Sequence, residues 1–475
     1  MSNPATGTES GHVTGLYREH EEWTVNTGGK TIHAKRMPGF FRTMKYFTAL
    51  TWLVFFLGAY PRWHGKQAIL FDVTNRQFHF FNITILPQDI WMLSLLLLLM
   101  AMTLFAVTSV ASRVFCGYFC FQTVWTDVFT WIEEKIEGQP GQRRKLDGAP
   151  WSVTKVRLKL MKHAAWLAIS VLTGISFSIW FVDAFDYWHD LLTLNLPVIG
   201  WATLVAFILG TYILAGFLRE QTCFWLCPYA RIQGVMTDAQ TILPTYDENR
   251  GEPRGKLRRH EEGAAKQGDC IDCFQCVQVC PTGVDIRQGQ QLGCITCGLC
   301  LDACDSVMDK IGRPRGLIRY ASLDEMEGRP VKKLYQHPRT FVYIGIILLA
   351  LSGIIYGLTH LGALVLRVAP ERQPLFVRMS DGSIQNKYVF KVLNKTNKDM
   401  YVTVKAEDGI SGQQIIGAEQ PILVYHGRAT PFTIFVKAPE KNIHEEITPI
   451  EFRVEGVDHP EISSEYQTMF NGPKP

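Results

Sequence analysis

Residues 268–304 read GDCIDCFQCVQVCPTGVDIRQGQQLGCITCGLCLDAC. Eight of the chain's twelve cysteines fall here, as Cys270, Cys273, Cys276 and Cys280, then Cys294, Cys297, Cys300 and Cys304. Each quartet has the spacing C-x2-C-x2-C-x3-C, and Pro281 follows the first. In a bacterial ferredoxin run of this kind, three thiolates hold one cluster and the fourth ligates the other. Cys270, Cys273, Cys276 and Cys304 are therefore expected to hold one 4Fe–4S cluster, and Cys280, Cys294, Cys297 and Cys300 a second. Cysteines two or three apart are poor disulfide partners, and a disulfide framework belongs to an oxidised, secreted setting. Zinc sites show two separated C-x2-C pairs, whereas here a third cysteine and an x3-C step repeat twice. Asp305 stands where the first run has Pro281, which alters a turn and no ligand. Two adjacent one-electron centres imply that the chain carries electrons.

Outward from that stretch, apolar runs alternate with charged segments, although the 475 residues carry a formal charge of only +4. A membrane helix needs about 20 apolar residues. Met44–Tyr60, Ile90–Val110, Ala164–Val182, Val198–Leu218 and Phe341–Leu361 are the candidates, about five in all. Residues 114–132 are apolar but interrupted by Asp127, and read as an interfacial or re-entrant segment. No run resembles a cleavable signal peptide.

Lys and Arg favour cytoplasmic loops. Arg18, Lys30, Lys35, Arg36 and Arg42 lie before the first span; Lys135, Arg143, Arg144, Lys145, Lys155, Arg157, Lys159 and Lys162 follow the second. The loop at 183–195 carries Asp183, Asp186 and Asp190 with no Lys or Arg. The expected arrangement has the N-terminus and ferredoxin stretch in the cytoplasm and the C-terminus in the periplasm of a bacterial inner membrane. Bases that follow sidedness in this way argue against a nucleic-acid partner.

The domain plan follows: a cytoplasmic arm at 1–40, and a four-helix membrane domain at 41–218 with a cytoplasmic loop at 111–162. A cysteine-pair segment and charged surface linker fill 219–262. The ferredoxin-like domain occupies 263–315, with Ile271, Val277, Val279, Ile286, Ile295 and Val307 packed around its clusters. A linker at 316–340 leads to the fifth transmembrane helix at 341–363. The last 110 residues, 366–475, contain alternating runs at Tyr388–Leu393, Met400–Lys405, Thr433–Lys437 and Ile450–Val454, separated by turn residues. That pattern predicts an immunoglobulin-like β-sandwich. The whole is read as a multi-domain membrane protein: an α-helical transmembrane bundle, a cytoplasmic 2×(4Fe–4S) ferredoxin-like domain and a periplasmic β-sandwich.

The four remaining cysteines form two C-x3-C pairs, Cys116/Cys120 and Cys223/Cys227, each after a pair of helices. At i and i+4 of an unbroken helix, Cβ atoms stand about 5–6 Å apart, too far for a disulfide and suited to two thiolates sharing a soft metal such as Cu(I). Pro228 instead suggests a turn at Cys227 leading into a short helix at Pro228–Met236, where a cysteine becomes more acidic. Simple packing of small buried thiols is the plain alternative. His64, His79, His189 and His360 read as interfacial hydrogen-bonding groups, and His163 as a helix-end polar residue. Trp63, Trp91, Trp180 and Trp188 fit an aromatic belt.

The cysteine run, its continuation DSVMDKIGRPRGLIRY at 305–320 and the preceding YDENRGEPRG at 246–255 closely resemble the cytochrome c oxidase accessory protein family (FixG and RdxA proteins). The similarity covers the five spans, both C-x3-C pairs and the β-rich tail. The pairs also resemble the C-G-x-x-C-P motif of other membrane electron-transfer proteins, with Phe121 in place of the proline and Phe224 in place of the glycine. The resemblance implies two 4Fe–4S clusters that relay electrons to Cys116, Cys120, Cys223 and Cys227, there reducing Cu(II) to Cu(I) for assembly of a cbb-type oxidase. It implies copper chaperones or transporters and oxidase subunits as partners; the apolar spans add the lipid bilayer, and monomer and homodimer both stay open. An electron conduit from quinol or a soluble donor, and a redox signalling protein, are the competing readings.

Overall fold

A computed structural model describes residues 32–473 except 64, 74–76, 82, 86–88, 257–266, 292, 332–335, 360–361, 372, 397 and 408. The arm to residue 31, the expected start of the ferredoxin domain at 263–266, and the histidines at 64 and 360 lie outside the described residues. The chain divides into two compact units: residues 1–59, 94–180 and 184–352 in one, and 60–93, 181–183 and 353–475 in the other.

Among the described residues, four helices are long and apolar enough to cross a membrane: Trp91–Ala111, Val153–Ser178, Val198–Leu218 and Pro338–Thr359. The expected first span is instead two short helices, α1 (Phe40–Leu50) and α2 (Leu53–Leu57). The Thr48 and Thr51 hydroxyls donate back to Lys45 O and Thr48 O, at 3.1 and 2.6 Å, and so compete with the helical ladder where it stops. Helix α1 also buries Arg42, Lys45 and Thr48 while exposing Phe40, Phe47 and Leu50, an outward apolar face.

Helix α3 (Ile90–Ala111) is followed by α4 (Val114–Tyr118) and α5 (Phe121–Glu137), so the segment expected to be interfacial is helical but broken at its cysteine. After α6 (Pro140–Gly148), α7 (Val153–Ser178) begins eleven residues earlier than its apolar run, because Ser152 caps it by accepting from Lys155 N. Trp125 Nε1 donates to Thr173 Oγ1 at 2.8 Å and Phe129 stacks on Trp166, joining α5 to α7. Past α8 (Ala184–Leu192), α9 (Val198–Ile213) packs on α7, with Phe177 and Phe207 stacked at 3.7 Å. Two π-helical turns, Leu214–Leu218 and Thr222–Leu226, lead to α10 (Pro228–Met236).

In the other unit, strands β1 (Arg62–Trp63) and β2 (Lys66–Gln67) form a hairpin beside the three-stranded sheet of β3 (Ile69–Asp72), β4 (Gln77–Phe80) and β5 (Ile83–Ile85). The ferredoxin part of the first unit opens with β6 (Leu243–Tyr246), every residue buried, paired antiparallel with β7 (Ile318–Ala321). The ferredoxin fold thus reaches beyond 263–315, and the segment expected to be a surface linker starts as a strand. Helix α11 (Glu248–Gly251) follows β6; α12 (Gln275–Gln278) and α13 (Leu299–Ile311) follow the two cysteine loops. Helix α14 (Leu323–Met326) precedes α15 (Pro338–Thr359).

The C-terminal sandwich contains β8 (Leu364–Pro370), β9 (Val377–Arg378), β10 (Ser383–Asn394), β11 (Met400–Ala406), β12 (Gln414–Ile416), β13 (Ile422–Val424), β14 (Ala429–Pro439), β15 (Ile447–Gly456) and β16 (Ser463–Asn471). One sheet runs β12-β14-β10-β8 with β9 beside β10, the other β13-β11-β15-β16. All four expected runs lie within strands. Their alternate residues Tyr388, Phe390, Val402, Ile434 and Phe452 are fully buried between the sheets.

Candidate electron-transfer site

The two ferredoxin loops fold alike. Each C-x2-C-x2-C loop turns left-handed at the same two positions, Asp272 and Phe274 in the first and Thr296 and Gly298 in the second. These turns aim successive cysteines inward before α12 and α13 begin. Glycine meets the requirement freely at Gly298; at Phe274 the ring is held by the Arg287 guanidinium, 4.0 Å from its centroid.

Burial first, then Asp285 and neighbouring Cys273 and Cys270, pushes the Cys276 thiol up to about 12 even though Arg287 pulls the other way. Cys304 is raised to about 12 by burial, Cys276, Asp305, Cys270 and Cys273. Burial, Cys297 and Cys280 raise Cys294 to about 12, and burial with Cys294, Cys297 and Cys280 lifts Cys300 well above the ordinary thiol value. The structure thus gathers Cys270, Cys273, Cys276 and Cys304 in one group and Cys280, Cys294, Cys297 and Cys300 in another. Cys300 also feels Cys276, so the groups are neighbours.

All twelve cysteines are free. Thiols so buried ionise only when a cation replaces their water, as a bound metal does. Among the described residues, no three Cys, His, Asp or Glu side chains stand close enough to hold a single metal ion. Each thiolate of a 4Fe–4S cage binds a different iron, so cage ligands stand farther apart than ligands of one ion. Four free thiols in each group are the donor set that one 4Fe–4S cluster takes.

The C-x3-C pairs share a local fold of their own. Cys120 N–H donates to Phe115 O at 3.0 Å and Cys227 N–H to Thr222 O at 2.9 Å, the same five-residue closure counted from each second cysteine. Cys120 (φ −62°, ψ 127°) and Cys227 (φ −81°, ψ 109°) are then the extended N-caps of α5 and α10. The unbroken-helix expectation therefore fails for both pairs, and the turn expected before Pro228 holds. In the first pair Phe121 opens the helix without a proline.

Side chains stitch the two turns together. The Cys116 thiol donates to Gln233 Oε1 at 3.2 Å, and Arg113 donates from its guanidinium to Ala230 O. Gln122 Nε2 donates to Leu214 O at 2.8 Å and Arg219 O at 3.1 Å. Burial chiefly, then Cys120, Cys223 and Cys227 against a downward pull from Arg113, lifts Cys116 to about 12. Burial, Cys120 and Cys227 do the same to Cys223. The four thiols are one group.

This group is docked on the second ferredoxin loop. A Cβ on Gly117 would stand 2.5 Å from Ile295 O and 3.1 Å from Cys297 Cα, so only glycine allows the approach. Tyr118 O–H donates to Cys297 O at 3.0 Å, and Arg113 N–H to Thr296 Oγ1 at 3.3 Å. The Arg113 side chain faces Cys116, Cys294, Cys223 and Cys227, and so touches both thiol groups electrostatically. Sequence reasoning missed Arg113, Gly117, Tyr118 and Gln233. The one available signal was the glycine inside the first C-x3-C.

Beside the group lies a cavity lined by Arg36, Arg42, Lys45, Gln122, Asp127, Arg219, Cys223 and Pro281 among others. Asp127 bridges Arg36 at 2.8 Å, Arg42 at 3.0 Å and Lys45 at 3.6 Å. His79 pairs with Thr84 Oγ1, His163 with Tyr212 O–H and His189 with Asp190.

Residues 93–138 match the family described as a 4Fe–4S binding domain, and residues 218–323 a 4Fe–4S dicluster domain. Residues 354–473 match the family described as an IG-like fold at the C-terminal of FixG, putative oxidoreductase. The chain is 38% identical to the nitrogen fixation protein FixG of Rhizobium meliloti, over 86% of this chain and 87% of that protein. It is 42% identical to protein RdxA of Cereibacter sphaeroides over 80% of this chain and 83% of that one. Identity to protein RdxB of the same organism is also 42%, over 86% of each chain.

Proposed function

The chain belongs to the FixG/RdxA family of iron–sulfur electron-transfer proteins, and on that premise we propose that it reduces Cu(II) to Cu(I) for assembly of a cbb-type oxidase. The observation that carries the reading is the docking of the first C-x3-C turn on the second ferredoxin loop, with the second pair's turn joined to it through Gln233, Ala230 and Gln122. Bound clusters would supply one-electron storage and transfer. The ferredoxin cysteines hold that store, with Cys270, Cys273, Cys276 and Cys304 around one cluster and Cys280, Cys294, Cys297 and Cys300 around the other. Gly117 and Tyr118 shorten the route to Cys116, Cys120, Cys223 and Cys227, where one electron leaves for each Cu(II). Copper is the substrate, and soft thiolates favour its reduced state. A quinol or a soluble one-electron donor refills the store.

The proposed topology has five crossings, with the ferredoxin cytoplasmic and the sandwich periplasmic. Lys35 N–H donates to Gln278 O at 2.7 Å and Phe41 N–H to Asp302 Oδ2 at 2.8 Å, so the chain before α1 belongs with the ferredoxin. After α2, Gln77 donates to Gly427 O, and Asp89 pairs with Lys395 of the sandwich at 2.6 Å. If α15 crosses the membrane between ferredoxin and sandwich, α1 and α2 must cross it too.

The test of the copper reading is Cu(I) formation by the purified, reduced protein, read with a Cu(I)-specific chelator. Cys116→Ala and Cys227→Ala are expected to lower the rate at least about tenfold, equal to about 1.4 kcal/mol of barrier. Reduction that survives both substitutions refutes it.

A further inference from the structure

We propose that Thr282 and Arg113 hold the reduction potential of the second ferredoxin cluster above that of the first, so that the stored electron rests beside the C-x3-C exit. The inference deepens the proposed function. It rests on the assignment of Cys280 and Cys294 to the second cluster, and it gives the electron store a direction.

The two cysteine runs are a repeat, and the repeat is broken where it bears on the sulfurs. Thr282 stands two residues past the fourth cysteine of the first run, and Ser306 stands at the matching place in the second. Both carry a hydroxyl, but they aim it differently. Thr282 Oγ1 lies 3.3 Å from Cys280 Sγ, whereas Ser306 Oγ donates to Ala303 O at 2.9 Å. Between a hydroxyl and a free thiol, either atom can donate. An iron-bound cysteine has lost its proton, so Thr282 must then be the donor. Thr282 is buried, which keeps bulk water from competing for that hydroxyl. The Thr282 and Val284 amides face the same sulfur, and Thr296 N–H donates to Cys294 Sγ at 3.4 Å.

Charge follows the same division. Arg113 is 6% exposed and faces Cys294, and its backbone N–H bonds Thr296 Oγ1 on the same loop at 3.3 Å. The first group is faced by carboxylates instead, Asp285 near Cys276 and Asp305 near Cys304. Arg287 pairs with Asp285 at 2.6 Å and so offsets one of the two. Asp305 accepts from Gly316 N–H at 2.9 Å, which leaves its charge in place. Tyr246 faces Cys270, but its O–H donates to Glu252 Oε1 at 3.2 Å. An added electron makes either cluster more negative. Hydrogen bonds to sulfur and a buried cation favour that added charge, and carboxylates oppose it, so the two potentials are pushed apart. Transfer toward the exit is then downhill: one electron leaves the first cluster and enters the second, with no bond made or broken.

Potentiometric EPR titration of the full chain, purified anaerobically in detergent, tests this order. Two waves are expected, and Thr282→Val is expected to lower the higher one by at least about 59 mV, a tenfold loss in its one-electron reduction constant. Thr282→Ser keeps the hydroxyl and should restore the wave, while Ser306→Ala should move neither. Arg113→Gln should lower the higher wave again, and it decides by the same readout if the valine costs the protein its second signal. A single wave in the unsubstituted protein overturns the proposal whatever the variants do. A Thr282→Val shift confined to the lower wave, or no shift in either, overturns it too. Cu(II) reduction by the same samples is a separate result. Ordered potentials without it keep this inference and remove the copper reading, and Cu(II) reduction with equal potentials does the reverse.

Discussion

Gly117 shows how one missing side chain can set an electron-transfer distance. A methyl at that position would overlap Ile295 O, which is backbone and cannot rotate away. Gly117→Ala should force the first C-x3-C turn off the ferredoxin loop at a cost of about 1–3 kcal/mol. Thermal unfolding should show that loss, and reoxidation of the ferredoxin clusters by Cu(II) should slow with it. Unchanged reoxidation kinetics would mean that the close approach is irrelevant to transfer. Asp127 makes a different residue-scale case. Burial would raise its carboxyl, but Lys45, Arg42 and Arg36 outweigh burial and hold it well below the usual carboxylate range. The stability it contributes is therefore complete above about pH 4, the unfolded carboxyl value, and is lost only as pH falls through the lowered folded value. Asp127→Asn leaves Arg42 and Lys45 enclosed without their counter-ion and should cost about 3 kcal/mol at neutral pH. Denaturation as a function of pH checks both the size and the sign: the difference between the two proteins should shrink in acid.

At the scale of elements, the cysteine spacing made the ferredoxin loops legible because ligand geometry leaves little freedom in C-x2-C-x2-C. The β-strands were legible too, since Tyr388, Phe390 and Val392 are buried in alternation with more exposed Lys387, Val389 and Lys391. Pro228 correctly signalled a helix start after Cys227. The matching break after Cys120 carries no proline, so only the repeat itself could have revealed it. Hydropathy could not divide α1 from α2, because the division comes from threonine hydroxyls turning back on the backbone and from charges buried against Asp127. The strand at Leu243–Tyr246 was hidden for a related reason: its partner, Ile318–Ala321, lies beyond both cysteine loops. Its four residues hold a proline and too few apolar positions to read alone. The docking of C-x3-C on the second loop was illegible for the same cause, since a long-range contact leaves no local period.

On the scale of the whole molecule, the account joins a one-electron store to an exit at the head of the membrane helices. The proposed topology rests on which loops pack together: Lys35 and Phe41 with the ferredoxin, Gln77 and Asp89 with the sandwich. An epitope at the C-terminus should be removed by protease added to intact spheroplasts, and one at the N-terminus should survive. Both epitopes shaved, or both protected, would mean that α1 and α2 do not cross. The central claim is that electrons leave the ferredoxin through the four C-x3-C thiols. Rapid mixing of pre-reduced protein with Cu(II), followed by freeze-quench EPR of the clusters, tests it most directly. The account predicts fast loss of the reduced-cluster signal in the unsubstituted protein and loss at least about tenfold slower in Cys116→Ala/Cys223→Ala, a barrier increase of about 1.4 kcal/mol. Equal rates in the two proteins would contradict it.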